Sequence, residues 1–469
     1  MPSFKLLIDG RGVDGAAGTM AVLNPATAAP FAHSPVADAA QLEAAVAAAG
    51  AAFPGWAARA LAERAAAVEA LAAALLERKE EFARLLTMEQ GKPLAQAEGE
   101  VLASVDTLRG FAAMTLEPRI LRDTPAQKIV EYRVPLGVVA AITPWNYPLV
   151  LLMNKLGPAL LAGCTIVAKP APTTPLTTLL FAEMATAILP AGVLNVICDR
   201  NDLGSALTTH PGIAKVAFTG STATGRKVMA AAAGTVKRVT LELGGNDAAL
   251  VLDDADIEKT ARAVFDGAMI NAGQVCLAVK RAYVPAALYD AFCDALARLA
   301  RSTVVGEGDR PGTQMGPLQN AAQYEKVKAY LADAHASGTV IAGGEALDRP
   351  GYFIAPTIVR DIAPDARVVR EEQFGPILPV LAYDRLETAL AQINDSDYGL
   401  GGTVWGADTE RAAAIAARIE SGTVWVNQHL AMEAGIPSRG AKQSGLGGEL
   451  GVEGLHEYTQ PRIVNIRRT

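Results

Sequence analysis

From residue 137 onward, short and largely apolar runs alternate with helix-length stretches, and no other feature of the chain limits its fold so strongly. The runs fall at 138–142, 165–169, 194–198, 215–219, 239–243 and 249–252. A strand with one face in water alternates apolar and polar residues, whereas a run that is apolar throughout has both faces covered. Spaced by helical lengths, these runs predict a parallel sheet with helices on either side, the doubly wound α/β arrangement. Ligands then bind beyond the carboxyl ends of the strands. A second series follows, with strands at 281–284, 339–341, 379–383, 403–405 and 423–427 and helices near 288–301, 321–335, 386–393 and 409–420. The 469 residues suit two such lobes.

The chain before residue 137 reads differently. After a short strand region, residues 38–89 are rich in Ala, Leu, Glu and Arg, with Leu61, Val68, Leu71 and Leu75 at helical spacing. Asp38 and Gln41 are placed as a capping box, and Pro54-Gly55 is expected to split the stretch into at least two helices. Residues 148–168 are apolar enough to suggest a membrane span. Asn154, Lys155 and Gly157-Pro158 inside them favour a buried helix followed by a buried strand. The amino terminus reaches Asp9-Gly10 too soon for a signal-peptide apolar region. Residues 461–467 alternate as an exposed strand would, and such an edge seeks a partner.

Charge and cysteine usage exclude several functions. Forty-nine acidic against forty-two basic residues leave a net charge of −7, a poor basis for nonspecific nucleic-acid binding. The four cysteines, Cys164, Cys198, Cys276 and Cys293, form neither a disulfide framework nor the close pairs of a structural zinc site. The expectation is a cytoplasmic protein in a reducing compartment, with no metal, no membrane and no nucleic acid as partner.

Three elements carry possible chemistry. Phe218-Thr219-Gly220-Ser221-Thr222-Ala223-Thr224-Gly225-Arg226 lies between a predicted strand and a predicted helix, where glycines and helix N–H groups can meet a pyrophosphate. A plain strand-to-helix turn explains that tract equally well. Gly445-Leu446-Gly447-Gly448 has a more glycine-rich texture but follows no predicted strand. Cys276 stands between apolar neighbours, as an inert core cysteine would. Glu242, however, ends a buried run just before Gly244-Gly245, where a carboxylate of raised pKa suits a general base. Thr143-Pro144-Trp145-Asn146 follows another strand and offers an amide donor to an oxyanion.

Taken in order, Pro144-Trp145-Asn146, Lys155-Leu-Gly-Pro158-Ala159, Lys169-Pro170, Phe218-Thr-Gly-Ser221, Glu242-Leu-Gly-Gly245, Gly273-Gln-Val-Cys276 and Glu372-Gln-Phe374-Gly-Pro376 resemble the aldehyde dehydrogenase superfamily through most of the chain. The resemblance implies an α/β fold of two Rossmann-type open-sheet lobes plus a small β oligomerisation flap. Residues 1–118 and 136–243 would form the dinucleotide-binding domain and 244–443 the catalytic domain, with 119–135 and 444–469 bridging subunits of a homodimer or homotetramer. It implies that Cys276 attacks an aldehyde, that Asn146 and the Cys276 N–H stabilise the oxyanion, and that Glu242 activates the water that hydrolyses the thioester. NAD or NADP would take the hydride. Glu372 and Phe374 would hold the nicotinamide ribose and ring, Lys169 the adenine ribose, and Gly220, Ser221 and Gly225 the diphosphate, with Thr143, Trp145 and Gly244 completing the cofactor set. Lys155 and Glu449 resemble a proton-relay pair, and an ordinary structural ion pair accounts for them as well.

Departures from the family pattern bear on both ligands. Many NAD-preferring members carry Glu three residues after the ribose-binding lysine, and here Pro172 stands there, which makes NADP use more plausible. Before Lys442 the family commonly has Pro-Phe-Gly-Gly, and this chain has Pro437-Ser438-Arg439-Gly440. Ser438 should widen or polarise the substrate channel. Arg439 could pair with an anionic substrate or could simply be solvated. Asn154 and Leu277 are further substrate candidates that leave the pocket class open. CoA-acylating oxidation, cysteine-dependent ester hydrolysis and a non-catalytic cofactor-binding role are the alternatives. Glu242 counts against the first, the nucleotide tract against the second, and the joint presence of Cys276, Glu242 and Asn146 against the third.

Overall fold

The computed structural model describes residues 4–468; Met1–Ser3 and Thr469, at the ends of the sequence reading, lie outside the described residues. Two open sheets dominate. The first orders its strands Arg11–Val13, Leu6–Ile8, Leu194–Val196, Thr165–Lys169, Val138–Ile142, Lys215–Thr219, Arg238–Glu242 and Gly445–Leu446. The five strands from Leu194–Val196 to Arg238–Glu242 are parallel, and the pairings beyond them are antiparallel. Successive strands proceed outward from Val138–Ile142 to one side and from Lys215–Thr219 to the other. The strand order therefore reverses between those two, and the crevice at their carboxyl ends is where a ligand fits.

The second sheet runs Thr339–Ala342, Thr357–Arg360, Ile377–Tyr383, Val279–Pro285, Asp247–Val251, Gly401–Trp405 and Thr423–Val426. Each sheet has its own core. One gathers Val139, Ile166, Val216 and Leu241 with Leu450, Leu455 and Tyr458 of the carboxyl-terminal segment, and the other gathers Leu250, Phe265, Val284 and Val380. The expected two-lobed α/β fold is what forms, and strands 138–142, 165–169 and 215–219 fall where the sequence placed them. Residues 148–168 form the helix Val150–Ala162 and the buried strand Thr165–Lys169, joined at Gly163, whose φ of 95° is a left-handed turn. Among the described residues, no helix is long and apolar enough to cross a membrane.

Two local expectations are corrected. Pro54 does not break the first helix, which continues from Ala39 to Ala57. Its last turn carries the fully buried Trp56, whose Nε1–H donates to Leu160 O at 3.1 Å, so tertiary packing outweighs the hydrogen bond that proline forfeits. The capping box is half formed. Asp38 accepts from Gln41 N at 2.8 Å, but the Gln41 amide turns to Asp14 O and Ala16 N. Residues 459–467 do find a partner strand, pairing along their whole length with Gln127–Pro135, which also pairs with Arg119–Thr124. The resulting three-stranded ribbon exposes Ile120, Leu121, Ile463 and Ile466 and leaves the Thr459–Arg467 edge open.

Candidate active site

Cys276 sits on a loop that the backbone holds under strain. The helix Ile257–Met269 gives way to a tight turn in which Asn271, Ala272 and Gly273 have φ of 50°, 53° and 71°. Left-handed geometry at a non-glycine residue persists only where the surroundings impose it, and it clusters at functional sites. A Cβ at Gly273 would lie 2.3 Å from Gly375 O, so this turn and the loop carrying Phe374 interlock. Behind the nucleophile, the buried Lys280 gives its ammonium protons to Val275 O (2.9 Å), Cys276 O (2.6 Å) and Ala278 O (3.2 Å). Those bonds fix the loop carbonyls inward and leave the Cys276 side chain facing the cleft.

Asn146 arrives from the other lobe, just beyond the end of Val138–Ile142. Its Nδ2 donates to Gln274 O at 3.0 Å, tying it to the nucleophile loop. Its main-chain carbonyl accepts from Lys92 Nζ (3.0 Å) and Asn271 Nδ2 (3.1 Å), and Lys92 is in turn paired with Glu100 at 2.5 Å in a fully buried ion pair. With the main chain anchored and one side-chain N–H bonded to Gln274, the Asn146 amide retains a second N–H for a developing oxyanion.

Glu242 ends the strand Arg238–Glu242, next to Thr219 in register. Its Oε1 is buried with no hydrogen-bond partner among the described residues. Alongside, Lys155 Nζ donates to Thr219 Oγ1 and Glu449 Oε1, both at 2.6 Å, and Asn154 Nδ2 donates to Glu449 Oε2 at 3.0 Å. Lys155 and Glu449 are thus an ion pair, and Asn154 serves that pair.

Trp145, Asn146, Gly220 and Ser221 line one open cleft, together with Gly244, Cys276, Glu372 and Phe374 from the other lobe. Ser221 caps the helix Thr222–Ala233 by accepting from Thr224 N. The glycines keep the cleft open: a Cβ at Gly225 would lie 2.4 Å from Leu243 Cδ2, and one at Gly244 would lie 2.5 Å from Glu372 Oε2. Glu372 is held by Gly245 N at 3.0 Å, and Phe374, at φ 51°, meets Trp145 edge-on with ring centres 5.4 Å apart. Thr143, whose hydroxyl is buried and unpaired, lies beside Lys169 through an N–H to Lys169 O bond of 3.2 Å. Lys169 is buried and paired with Asp199 at 2.6 Å. A cleft that glycines keep clear at a helix N-terminus, with a lysine and a carboxylate along it, fits a nicotinamide dinucleotide.

The electrostatics disfavour the charged forms of both Cys276 and Glu242. Loss of water pushes the Cys276 thiol up to about 12; the Lys280 ammonium opposes this, and Glu372, Asp247 and Glu242 reinforce it. Burial also drives the Glu242 carboxyl well above its usual range, with Glu449 adding to the rise and Lys155 opposing it. Deprotonation would make the thiol a nucleophile and the carboxyl a base, and both deprotonated forms grow as pH rises. We predict that kcat/KM climbs from about pH 7 into the alkaline range, read from a pH–rate profile; a flat or falling profile would contradict this.

The remaining candidates lie elsewhere. Leu277 O accepts from His429 Nε2 at 2.7 Å. The Ser438 main chain exchanges bonds with Glu449, Ser438 N to Glu449 O at 2.8 Å and Glu449 N to Ser438 O at 2.9 Å. Arg439 is exposed, its side chain alongside Gly448, with no ion pair among the described residues. The sequence reading missed Lys92, Lys280 and Asp199. A lysine inside an otherwise buried strand, as Lys280 is in Val279–Pro285, was the available signal, because an unpaired buried ammonium is prohibitive.

The aldehyde dehydrogenase family model matches residues 13–464. The chain is 38% identical over 400 residues to the NADP(+) succinate-semialdehyde dehydrogenase GabD of Escherichia coli, covering 84% of this chain and 83% of that one. It is 39% identical over 398 residues to a glutarate-semialdehyde dehydrogenase of Pseudomonas aeruginosa, covering 82% and 81%. The NAD+ complex of an aldehyde dehydrogenase from Bacillus cereus matches with a TM-score of 0.98 and 37% identity, over 100% of this chain and 97% of that one. Matching motifs, fold and cleft lead to one conclusion: the chain belongs to the aldehyde dehydrogenase family, enzymes that oxidise aldehydes with NAD or NADP.

Proposed function

We propose that this chain oxidises an aldehyde to a carboxylic acid through a covalent adduct on Cys276, which water activated by Glu242 then hydrolyses. The observation that carries this reading is the meeting in one cleft of the strained Cys276 loop and the Asn146 amide, with the buried, unpaired Glu242 carboxyl within electrostatic reach of Cys276. The Cys276 sulfur adds to the carbonyl carbon, and the carbonyl oxygen takes the charge, facing the Asn146 amide and the Cys276 N–H. A bound nicotinamide ring supplies the acceptor for the hydride that leaves this carbon, and Glu372, Phe374, Trp145, Gly220 and Lys169 would hold the dinucleotide. What remains on sulfur is a thioester. Glu242 takes a proton from water as its oxygen adds to the acyl carbon, and the C–S bond breaks to free the acid and the Cys276 thiolate. The Lys155–Glu449 pair, within electrostatic reach of Glu242, accepts the proton onward.

Water resolves the thioester in this reading, so reduced cofactor should form with a panel of aldehydes without added CoA, followed by absorbance. The panel includes succinate and glutarate semialdehydes beside uncharged aldehydes, because the relatives this chain resembles include dehydrogenases of both semialdehydes. Strict CoA dependence would overturn the hydrolytic assignment.

We read residues 1–118 and 136–243 as the dinucleotide-binding domain and 244–443 as the catalytic domain, a division that the two separate cores support. Residues 119–135 and 444–469 would bridge subunits of a homodimer or homotetramer, the open apolar ribbon edge being the support. Four free thiols support a reducing compartment, the cytoplasm.

A further inference from the structure

We propose that Asp199 makes the dinucleotide site favour NAD+ over NADP+, by neutralising Lys169 from the neighbouring strand. The proposal rests on reading this crevice as a dinucleotide site. Lys169 ends the strand Thr165–Lys169, and Asp199 follows the adjacent parallel strand Leu194–Val196, so both stand at the carboxyl edge of the sheet. Asp199 Oδ1 is 2.6 Å from Lys169 Nζ, and Asp199 is fully buried. Its other oxygen accepts from Leu203 N at 2.9 Å, which fixes the carboxylate in place.

Other charged groups near this pair have partners of their own. Glu89, the other carboxylate close to Cys198, is occupied by the Leu176 N–H at 2.7 Å and the Thr177 N–H at 3.0 Å. Arg200 turns away to Ala17 O and Thr19 O, and Arg226 is bonded to Gln443. Lys169 therefore stands as an ammonium cancelled by one carboxylate. Pro172 removes a carboxylate from the Lys169 strand side, and Asp199 returns one to the same ammonium from the next strand.

The consequence concerns the ribose 2′ position. A 2′-phosphate, with nearly two negative charges, would meet at Lys169 an ammonium already compensated and would face a buried like charge. A 2′-hydroxyl meets no such opposition, because the Lys169 ammonium keeps N–H donors for the diol after pairing with Asp199. Discrimination here is built from repulsion of the wrong ligand.

Equilibrium binding to the full-length protein tests this without turnover, by calorimetry or quenching of tryptophan fluorescence. The wild type should bind NAD+ at least about tenfold tighter than NADP+, and AMP tighter than adenosine 2′,5′-bisphosphate. Asp199→Asn should tighten NADP+ by about tenfold while moving NAD+ by less than about threefold. A merely structural role would weaken both dinucleotides in proportion, and that result overturns the proposal. So does a wild type that binds NADP+ as tightly as NAD+. The AMP and bisphosphate pair needs no substitution and decides the matter if Asp199→Asn fails to fold. If neither dinucleotide binds, the reading of the crevice itself falls, and the Asp199 proposal falls with it.

Discussion

Cys276→Ala is expected to abolish aldehyde oxidation and any ester hydrolysis together, lowering kcat on the order of 10⁴-fold or more. Both reactions need the sulfur as the atom that bonds to the acyl carbon, and alanine supplies no nucleophile. The substitution should cost little stability. Cys276 is only half-buried, and the bonds that shape its loop come from Lys280 to main-chain carbonyls that alanine retains. Dinucleotide binding should persist, which separates loss of chemistry from loss of the fold. Oxidation that survived at more than about a thousandth of the wild-type rate would place the nucleophile elsewhere.

Glu242→Gln should have a different signature. Sulfur addition and hydride departure need Cys276 and the Asn146 amide, so reduced cofactor should form rapidly, up to one equivalent per chain. Turnover should then slow by about 10²–10⁴-fold, because glutamine cannot take the proton from water. Glutamine also removes a carboxyl that burial and Glu449 keep difficult to ionise, so the variant should be at least as stable as the wild type. Rapid-mixing absorbance separates the two phases. A burst and a steady rate that fell in equal proportion would assign Glu242 to the first half of the reaction.

Much of this was legible in the sequence, and the reason is physical. Strands such as 138–142 and 215–219 are buried on both faces, so their apolar runs announce them without knowledge of the fold. Cys276, Glu242 and Asn146 could be placed at strand ends or loops, and the structure brings Asn146 to the Cys276 loop through Gln274. What stayed hidden depends on distant partners. Lys92 supports Asn146 only through a fold that joins residues far apart in the chain. Asp199 is unremarked in sequence because its meaning comes from Lys169 on the adjoining strand. Pro54 misled because the breaking tendency of proline is local, whereas the burial of Trp56 two residues later is not. Asn154 bonds to Glu449, a contact that no spacing rule encodes.

The central claim is that the substrate becomes covalently bound to Cys276 before water arrives. The direct measurement is the mass of Glu242→Gln protein quenched after mixing with an aldehyde and NAD(P)+, followed by peptide mapping. The account predicts one acyl group per chain, on the peptide bearing Cys276. Reduced cofactor formed in full with an unmodified chain, or with the acyl group on any other residue, would contradict it.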